Sequence, residues 1–214
     1  MSSKNVIPMS HSGEGNVTSP QCDLCEHFRC TRAKDCYGQR KDRLNDYRSQ
    51  PELLKLVEAA AKVEAQYYGK ATRIEEILHF ADEIGASHLG VAFCVGFKEE
   101  ARLFCELMRR HFEVSSVCCK NCAIPKKTFS MPHVRPVKRE NMCNPVGQAE
   151  LLNQAGTGLN IVMGLCVGHD SVFFKKSNAP VTVVAVKDRV LAHNPIGALY
   201  SPYLLRRLRE GPFS

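Results

Sequence analysis

The stretch HLGVAFCV at residues 88–95 decides the fold, because it is an almost wholly apolar run of the length of a buried strand. A second run, VTVVAVK at residues 181–187, is the clearest strand in the sequence. Strands that are apolar on both faces are typical of parallel sheets that helices cover on both sides. The two runs therefore predict an α/β domain.

Helical and strand patterns alternate between these two runs. The predicted elements are a helix at 98–112, a strand at 113–118, a helix at 145–155 capped by Asn144, a strand at 159–165 and a short helix at 170–177. A last helix is predicted from Pro195, with Asn194 as its cap and Pro202 breaking or restarting it. Because connections between parallel strands are right-handed, this order predicts a small doubly wound, mostly parallel sheet of about four strands.

Two predicted helices precede the sheet. Each begins with a capping box, Ser49 with Glu52 and Thr72 with Glu75, in which the two side chains bond each other's backbone N–H. Apolar residues at helical spacing follow each box. We therefore predict four regions: a disordered leader at 1–20, a cysteine-rich knuckle at 21–40, a helical segment at 41–87 and an α/β domain at 88–214.

Composition and missing motifs exclude several classes of protein. Hydrophobic residues make up 44% of the chain and charged residues 24%, as in ordinary globular proteins. No apolar run approaches the roughly 18–20 residues of a membrane span. The first residues lack the features of a signal peptide, which predicts a cytoplasmic protein. Without GxGxxG after the first strand or GxxxxGK[ST], no dinucleotide or Walker-type site is predicted.

The net charge of +7 is unevenly distributed. Residues 120–139 hold no Asp or Glu but contain Lys120, Lys126, Lys127, Arg135, Lys138 and Arg139. This basic run predicts either a solvated loop or a surface that attracts an anionic small molecule. Because aromatic residues do not alternate with the cations, a nucleic-acid partner is disfavoured.

Eleven cysteines set the chain apart. Their odd number, together with the α/β pattern and the absent signal peptide, favours metal or thiol chemistry over disulfides. Four lie at the spacing C-x2-C-x4-C-x5-C: Cys22, Cys25, Cys30 and Cys36. Four thiolates complete a shell for zinc or hold an iron–sulfur cluster, and a metal can fold so short a segment. The alternative is free or disulfide-paired cysteines in a small cap.

A second group of reactive residues follows the predicted strands. Ligands bind outside the carboxyl ends of the strands in an open parallel sheet. The residues at those ends are Cys94, then Cys118, Cys119 and Cys122, then Cys166 and His169, and finally Lys187, Asp188, Arg189 and His193. Cys143 lies before a helix N-terminus, a place that lowers the pKa of a thiol. The sequence therefore predicts a functional site at this edge.

The ligands predicted for a second metal ion or cluster are Cys119, Cys143 and Cys166, with His169 as the fourth ligand or an acid–base group. Lys187 and Arg189 are predicted to bind an anionic group of a substrate, with ordinary solvation as the alternative. These two residues and His169 are the candidate catalytic residues.

Other residues near the strands have plainer interpretations. Asp170 either orients His169 or caps the following helix, and the cap is favoured. Cys94 is either a ligand or a core residue, whereas Cys105 is predicted to pack in the core. His79, His88 and His111 have no partners at ligand spacing and are predicted to be structural.

Several blocks resemble the DUF1847 family of bacterial and archaeal proteins. They are VAFCVGFKEEA (Val91–Ala101), VCCK (Val117–Lys120), MCNPVGQAELLN (Met142–Asn153), GLCVGHDS (Gly164–Ser171) and APVTVVAVKDRVLAHNP (Ala179–Pro195). The resemblance extends over nearly everything after residue 20, includes the N-terminal cysteines, and implies metal binding without an established reaction. A Gly-rich turn usually follows VCCK in the family. Asn121 and Cys122 stand in its place here, which leaves Cys122 outside the implied ligand set.

The leading hypothesis is thus a metal-binding protein, and the spacing does not decide between zinc and an iron–sulfur cluster. A thiol redox enzyme is the second hypothesis, with Cys119 and Cys122 cycling between dithiol and disulfide and Cys143 or Cys166 resolving. A third is a non-catalytic, metal-stapled module that binds an anionic partner through the basic run.

Overall fold

A computed structural model of the chain describes residues 20–211, and its strands form one parallel four-stranded sheet. The strands are β1 (His88–Phe93), β2 (Glu113–Cys118), β3 (Leu159–Met163) and β4 (Val181–Ala185). They lie in the order β2-β1-β3-β4. The predicted α/β class and the parallel sheet of four strands are confirmed.

Eight α-helices and five short 3₁₀ helices are found in the described residues. The α-helices are α1 (Arg40–Ser49), α2 (Pro51–Tyr67), α3 (Arg73–Glu83), α4 (Lys98–Met108), α5 (Pro145–Gln154), α6 (His169–Lys176), α7 (Gly197–Tyr200) and α8 (Pro202–Arg209). The 3₁₀ helices are Cys22–Leu24, Arg29–Arg32, Val95–Phe97, Asn121–Ala123 and Lys126–Phe129. None of the described helices is long and apolar enough to cross a membrane.

The order of the strands reverses at β1. From β1 the chain moves to one edge of the sheet to form β2, and then crosses beyond β1 to form β3 and β4 in succession. Right-handed connections place the helices of these opposite steps on opposite faces. Ligands of such sheets bind where the order reverses, outside the carboxyl ends of the strands. That place lies at the ends of β1 and β3.

The two central strands carry the core of the sheet. All five residues of β3 and the four inner residues of β1 are buried, whereas no residue of the edge strands β2 and β4 is fully buried. The prediction that the strands are buried on both faces therefore holds for the central strands β1 and β3 and only partly for the edge strands β2 and β4. The Arg73 guanidinium ties α3 to β4, donating to the Val183 carbonyl at 3.2 Å and to the Thr182 hydroxyl at 2.8 Å.

One of the two predicted capping boxes is present. The Thr72 hydroxyl accepts from the Glu75 N–H, and the Glu75 carboxylate accepts from the Thr72 N–H at 2.7 Å. The box predicted for Ser49 and Glu52 is wrong, because Ser49 is the last residue of α1. Its hydroxyl donates back to the Asp46 carbonyl at 3.1 Å and so caps no following helix.

The predicted last helix is divided, and its cap differs. The residue before a proline is pushed toward extended backbone, and Ser201 has φ −94° and ψ 111°. This interrupts the helix, so that α8 begins anew at Pro202 with the Ser201 hydroxyl accepting from the Leu204 N–H. Asn194 makes no side-chain cap, which corrects the prediction, because α7 begins only at Gly197.

The chain divides into two compact units, one ending at Glu58 and one beginning at Ala59. The boundary falls within α2, so the second unit contains the end of that helix and the whole sheet. The predicted disordered leader, 1–20, lies outside the described residues except for Pro20.

Candidate thiolate site

Cysteines from four segments reach the carboxyl edge of the sheet. Cys94 follows β1, Cys119 follows β2, and Cys166 follows β3 after two residues, while Cys143 comes just before the cap of α5. The backbone ladder continues past the strands, because the Cys119 N–H donates to the Phe93 carbonyl at 2.8 Å and the Cys94 N–H to the Met163 carbonyl at 3.1 Å. The sheet itself therefore places Cys94 and Cys119 side by side.

Cys119 is the centre of a network of sulfur atoms. Its thiol is hydrogen-bonded to both Cys143 and Cys94, and its sulfur accepts the Val95 N–H at 3.3 Å. The bond to Cys143, then the bond to Cys94, and burial all raise the pKa of Cys119. Since only 3% of Cys119 is exposed, its surroundings favour the protonated, neutral thiol.

The two flanking cysteines have lowered pKa values, which favour their thiolate forms. The hydrogen bond from Cys119 lowers the pKa of Cys94 to about 5, and Lys187 also favours the charged form. The same kind of bond lowers the pKa of Cys143 to about 5, assisted by the charges of Lys120 and His169. A thiolate is the form that attacks electrophiles and ligates metals.

Three of the sulfurs have a basic side chain as a partner. Lys187 is hydrogen-bonded to Cys94, and Lys120 to Cys143. The Arg189 guanidinium donates to the Cys166 sulfur at 3.2 Å, which raises the pKa of Arg189. Lys187 and Arg189, predicted as anchors for a substrate, thus lie directly on cysteines of the site.

The ring of Phe97, which packs against His193, positions Lys187. Its ammonium lies 4.1 Å from the centre of the Phe97 ring, and the His193 ring lies 4.5 Å from the same ring. His193 Nδ1 accepts the Asp188 N–H at 3.0 Å. Cation–aromatic contacts of this kind hold an ammonium in place without neutralising it.

A pair of asparagines clasps the segments that carry Cys119 and Cys143. Asn144 Nδ2 donates to Asn121 Oδ1 at 2.9 Å, and Asn121 Nδ2 donates to the carbonyls of Cys118 and Asn144 at 3.0 Å. The Asn144 N–H also donates to the Cys119 carbonyl at 2.8 Å. Sequence reasoning treated Asn121 only as a departure from a family pattern and missed this role.

The Asn144 side chain also caps α5, as predicted, since its Oδ1 accepts the Gly147 N–H at 3.0 Å. A Cβ atom on Gly147 would lie 2.2 Å from Asn121 Oδ1, so the clasp requires glycine at this position.

Gln148 is a second residue that sequence reasoning missed. It is completely buried in α5, and its Nε2 donates to the carbonyls of Val117, at 2.7 Å, and Phe93, at 3.2 Å. Its Oε1 has no hydrogen-bond partner. The amide thereby bridges the carboxyl ends of β1 and β2 beneath Cys94 and Cys119. Only the polar character of a residue within an apolar helix pattern could have pointed to it.

The remaining predicted residues are placed as follows. His169 is the first residue of α6 and is half-buried, and its charge acts on Cys143. The Asp170 carboxylate accepts the N–H groups of Gly168 and Ser171, so it serves the start of α6. Cys122 is exposed, and its thiol donates to Asn121 Oδ1 at 3.4 Å. The sulfur partners of Cys119 are therefore Cys94 and Cys143.

The residues predicted to be structural have ordinary partners. Cys105 is buried on α4, as predicted. The His79 ring stacks on Tyr67 at 3.9 Å, and His88 Nε2 lies 2.9 Å from the Ser115 hydroxyl.

The N-terminal cysteines lie in a segment without a core, since residues 20–45 are exposed throughout. The Cys22 sulfur lies 2.9 Å from the Tyr37 hydroxyl. This bond raises the pKa of Tyr37, and the charges of Cys36 and Cys25 add to the effect. Of the four predicted ligands, Cys22 thus contacts the phenol of Tyr37 directly.

The basic run is partly tied back onto the protein. The Lys126 ammonium and the Glu140 carboxylate form a half-buried ion pair at 2.7 Å, and this pair lowers the pKa of Glu140 to about 2. Lys126 also donates to the Pro132 carbonyl at 2.9 Å, and Lys120 to the Asn141 carbonyl at 2.7 Å. Arg139 likewise donates to Asn141 Oδ1 at 3.4 Å and to the Ala123 carbonyl at 3.5 Å, so three of the run's cations are engaged internally.

All eleven cysteines lie in the described residues, and none of them forms a disulfide. Within residues 20–211, no three or more His, Cys, Asp or Glu side chains form a ready-made metal-binding group.

Comparison with known proteins places the chain in a family. An uncharacterized protein of Methanocaldococcus jannaschii, MJ0455, is 45% identical over 191 residues, which are 89% of this chain and 99% of that protein. No solved structure matches the chain. The model of a family described as a protein of unknown function, DUF1847, matches residues 30–184, a range that contains the four cysteines of the sheet edge. The chain belongs to the DUF1847 family.

Proposed function

We propose that the carboxyl edge of the sheet is a metal-binding thiolate centre, in which Cys94, Cys119, Cys143 and Cys166 hold a zinc ion or an iron–sulfur cluster. The convergence of Cys94, Cys119 and Cys143 in one hydrogen-bonded network carries the proposal. Cys94 takes the place that the sequence hypothesis gave to His169, which then lies near the centre as a candidate acid–base group rather than a ligand.

The donor chemistry fits a thiophilic metal. Thiolate sulfur selects zinc and iron–sulfur clusters over hard cations. The sulfurs stand at hydrogen-bonding positions rather than in a ready-made ligand shell. Cys119, whose raised pKa favours the thiol, must therefore lose its proton when a metal binds, and binding should release protons.

The surroundings of the sulfurs also fit. Arg189 donates to Cys166, and the Val95 N–H donates to Cys119. Lys187 is hydrogen-bonded to Cys94, and Lys120 is hydrogen-bonded to Cys143. Four thiolates outweigh the charge of a divalent metal, so N–H donors beside the sulfurs stabilise such a centre and tune it.

We propose a separate structural metal for Cys22, Cys25, Cys30 and Cys36. A segment that is exposed throughout residues 20–45 gains little from hydrophobic burial, and metal ligation supplies folding free energy instead. The many free thiols favour a reducing compartment, which supports the predicted cytoplasmic location.

Metal content of site variants tests the proposal. We expect Cys119→Ser, purified without oxygen, to lose the metal of the sheet edge, measured as zinc, iron and acid-labile sulfide per chain. Cys118→Ser removes the preceding thiol, which is not part of the network, and should keep the metal. Equal metal content in both variants and the unmodified protein would overturn the proposal.

A thiol redox function is a second candidate, and the sulfur network favours it in a specific form. The partners of Cys119 for a disulfide are Cys94 and Cys143, rather than Cys122. Mapping disulfides after mild oxidation of metal-free protein tests it. A bond from Cys119 to either partner supports this candidate, and a bond to Cys122 supports the sequence hypothesis instead.

A further inference from the structure

The cations around the sulfurs have no carboxylate partners. Among the described residues, Lys120, Lys187 and Arg189 take part in none of the ion pairs with Asp or Glu. Lys126 of the basic run differs in this respect, since it is paired with Glu140. Among the described residues, the three cations beside the sulfurs thus carry positive charge that no carboxylate neutralises in an ion pair.

The acidic residues next to the site cysteines and cations in the sequence bind backbone N–H groups. The Asp188 carboxylate accepts the N–H groups of Val190 and Leu191, at 2.8 and 2.9 Å. Asp170 likewise accepts backbone N–H groups at the start of α6. Both carboxylates therefore accept backbone N–H groups rather than pairing with the three cations.

The residues of the site differ in burial, and we call its more exposed part, Cys166 and Arg189, the rim. Cys94 and Cys119 are buried, whereas Cys166 is half-buried and Arg189 is exposed. Arg189 and Cys166 are therefore more accessible from solvent than Cys94 and Cys119. Unpaired positive charge at the mouth of a site raises the local concentration of anions.

We propose that this rim binds a small anionic molecule, carrying a carboxylate or an oxyanion, and presents it to the cysteines. Arg189 is the recognition residue, because its guanidinium is exposed and matches a carboxylate or oxyanion in a planar, two-pronged geometry. Lys187 and Lys120 extend the positive field inward. The inference rests on the proposed function only in taking this edge as the working site.

Two alkylating reagents that differ in charge test the proposal. Iodoacetate is anionic and iodoacetamide is its neutral counterpart. With either one, the Cys166 sulfur forms a bond to the CH2 carbon, the C–I bond breaks, and iodide leaves with the electron pair. The full chain is freed of metal without oxygen, and alkylation of Cys166 is followed by peptide mass spectrometry.

The ratio of the two rates is the readout, normalised to the same ratio for 2-mercaptoethanol. A change in the amount of thiolate alters both rates equally and cancels in this ratio. One unit charge about 4 Å away in water changes a rate by about fivefold, so we expect the ratio at Cys166 to exceed the reference by at least that factor. Added salt should diminish it.

Variants decide whether Arg189 is the cause. Arg189→Gln should lower the ratio about fivefold, and Arg189→Lys should retain most of it. Lys127→Gln removes one charge from the exposed part of the basic run and should leave the ratio unchanged. A ratio equal to that of 2-mercaptoethanol, an unchanged ratio in Arg189→Gln, or a Cys166 that reacts with neither reagent would overturn the proposal.

The result is separable from the metal hypothesis. A high ratio in a protein that binds no metal at the sheet edge keeps the anion site and removes the metal centre. A low ratio in a protein that does bind metal there keeps the metal centre and removes the anion site.

Discussion

At the scale of single residues, the site depends on the contacts that Cys119 makes with two other cysteines. Hydrogen bonding with Cys143 and Cys94 raises the pKa of Cys119 and lowers the pKa values of its two partners. A buried thiol between two thiolates costs less than three separate buried charges, because each charge is hydrogen-bonded. Replacing any one of the three therefore changes the titration of the others.

The lowered pKa values predict how the stability of the metal-free protein depends on pH. An unperturbed thiol titrates near 8.5, and Cys94 and Cys143 near 5 in the folded protein. The stability they contribute is fully present above the unfolded pKa and is lost as the pH falls through about 5. Cys119 has a raised pKa, so its contribution to stability is lost as the pH rises. This loss begins only above the pKa of the unfolded thiol.

We therefore expect the free energy of unfolding, measured with denaturant between about pH 5 and pH 8.5, to rise with pH. The rise should be smaller in Cys94→Ser and unchanged in Cys122→Ser, since Cys122 is exposed and outside the network. If the free energy of unfolding rose equally steeply with pH in Cys94→Ser and in the unmodified protein, the result would count against the lowered pKa of Cys94.

Gly164, which follows β3, offers a test of packing beneath the site. It has φ +64°, and a Cβ atom there would lie 2.2 Å from the Phe97 ring. Gly156 has φ +68° with nothing within 4 Å, so Gly156→Ala isolates the backbone strain. We expect Gly164→Ala to cost about 1–3 kcal/mol more than Gly156→Ala in the free energy of unfolding. Equal losses would show that Phe97 moves aside freely.

At the scale of elements, local signals predicted boundaries well where they had no competitor. Thr72 and Glu75 form the predicted box, and Asn144 caps α5. Ser49 fits the same pattern but ends α1, because the preceding residues form a helix that uses its hydroxyl. A capping pattern states that a helix can begin and does not exclude that another ends there.

The two boxes yield a matched prediction. Thr72→Ala removes an acceptor for the Glu75 N–H and should lower the free energy of unfolding by about 0.5–2 kcal/mol. Ser49→Ala removes only a bond back to Asp46 and should cost less than Thr72→Ala. Thermal or chemical denaturation measures both, and a larger loss for Ser49→Ala would contradict the assignment of the caps.

Periodicity predicted four strands and their carboxyl ends, but it carries no information on which strands are neighbours. β1 lies between β2 and β3, and this position makes Cys94 a direct neighbour of Cys119. The sequence therefore left Cys94 open between core and site. Likewise, the strand-end cations were predicted as anchors for a substrate, and their contacts with Cys94 and Cys166 depend on side-chain packing that no pattern contains.

At the scale of the whole molecule, the cysteines divide between two units. The four N-terminal cysteines belong to the unit that ends at Glu58, and the sheet-edge cysteines to the unit that begins at Ala59. Sequence reasoning separated the same two groups by their spacing. The units allow each group to be tested by itself in the full chain.

The most direct test of the central claim measures metal in a full-length variant with Cys22, Cys25, Cys30 and Cys36 all replaced by serine. Zinc, iron and acid-labile sulfide per chain are determined after purification without oxygen. The account predicts that metal remains bound in this variant and is lost when Cys119→Ser is added. A variant that contains no metal would contradict a metal centre at the sheet edge and leave its cysteines to thiol chemistry.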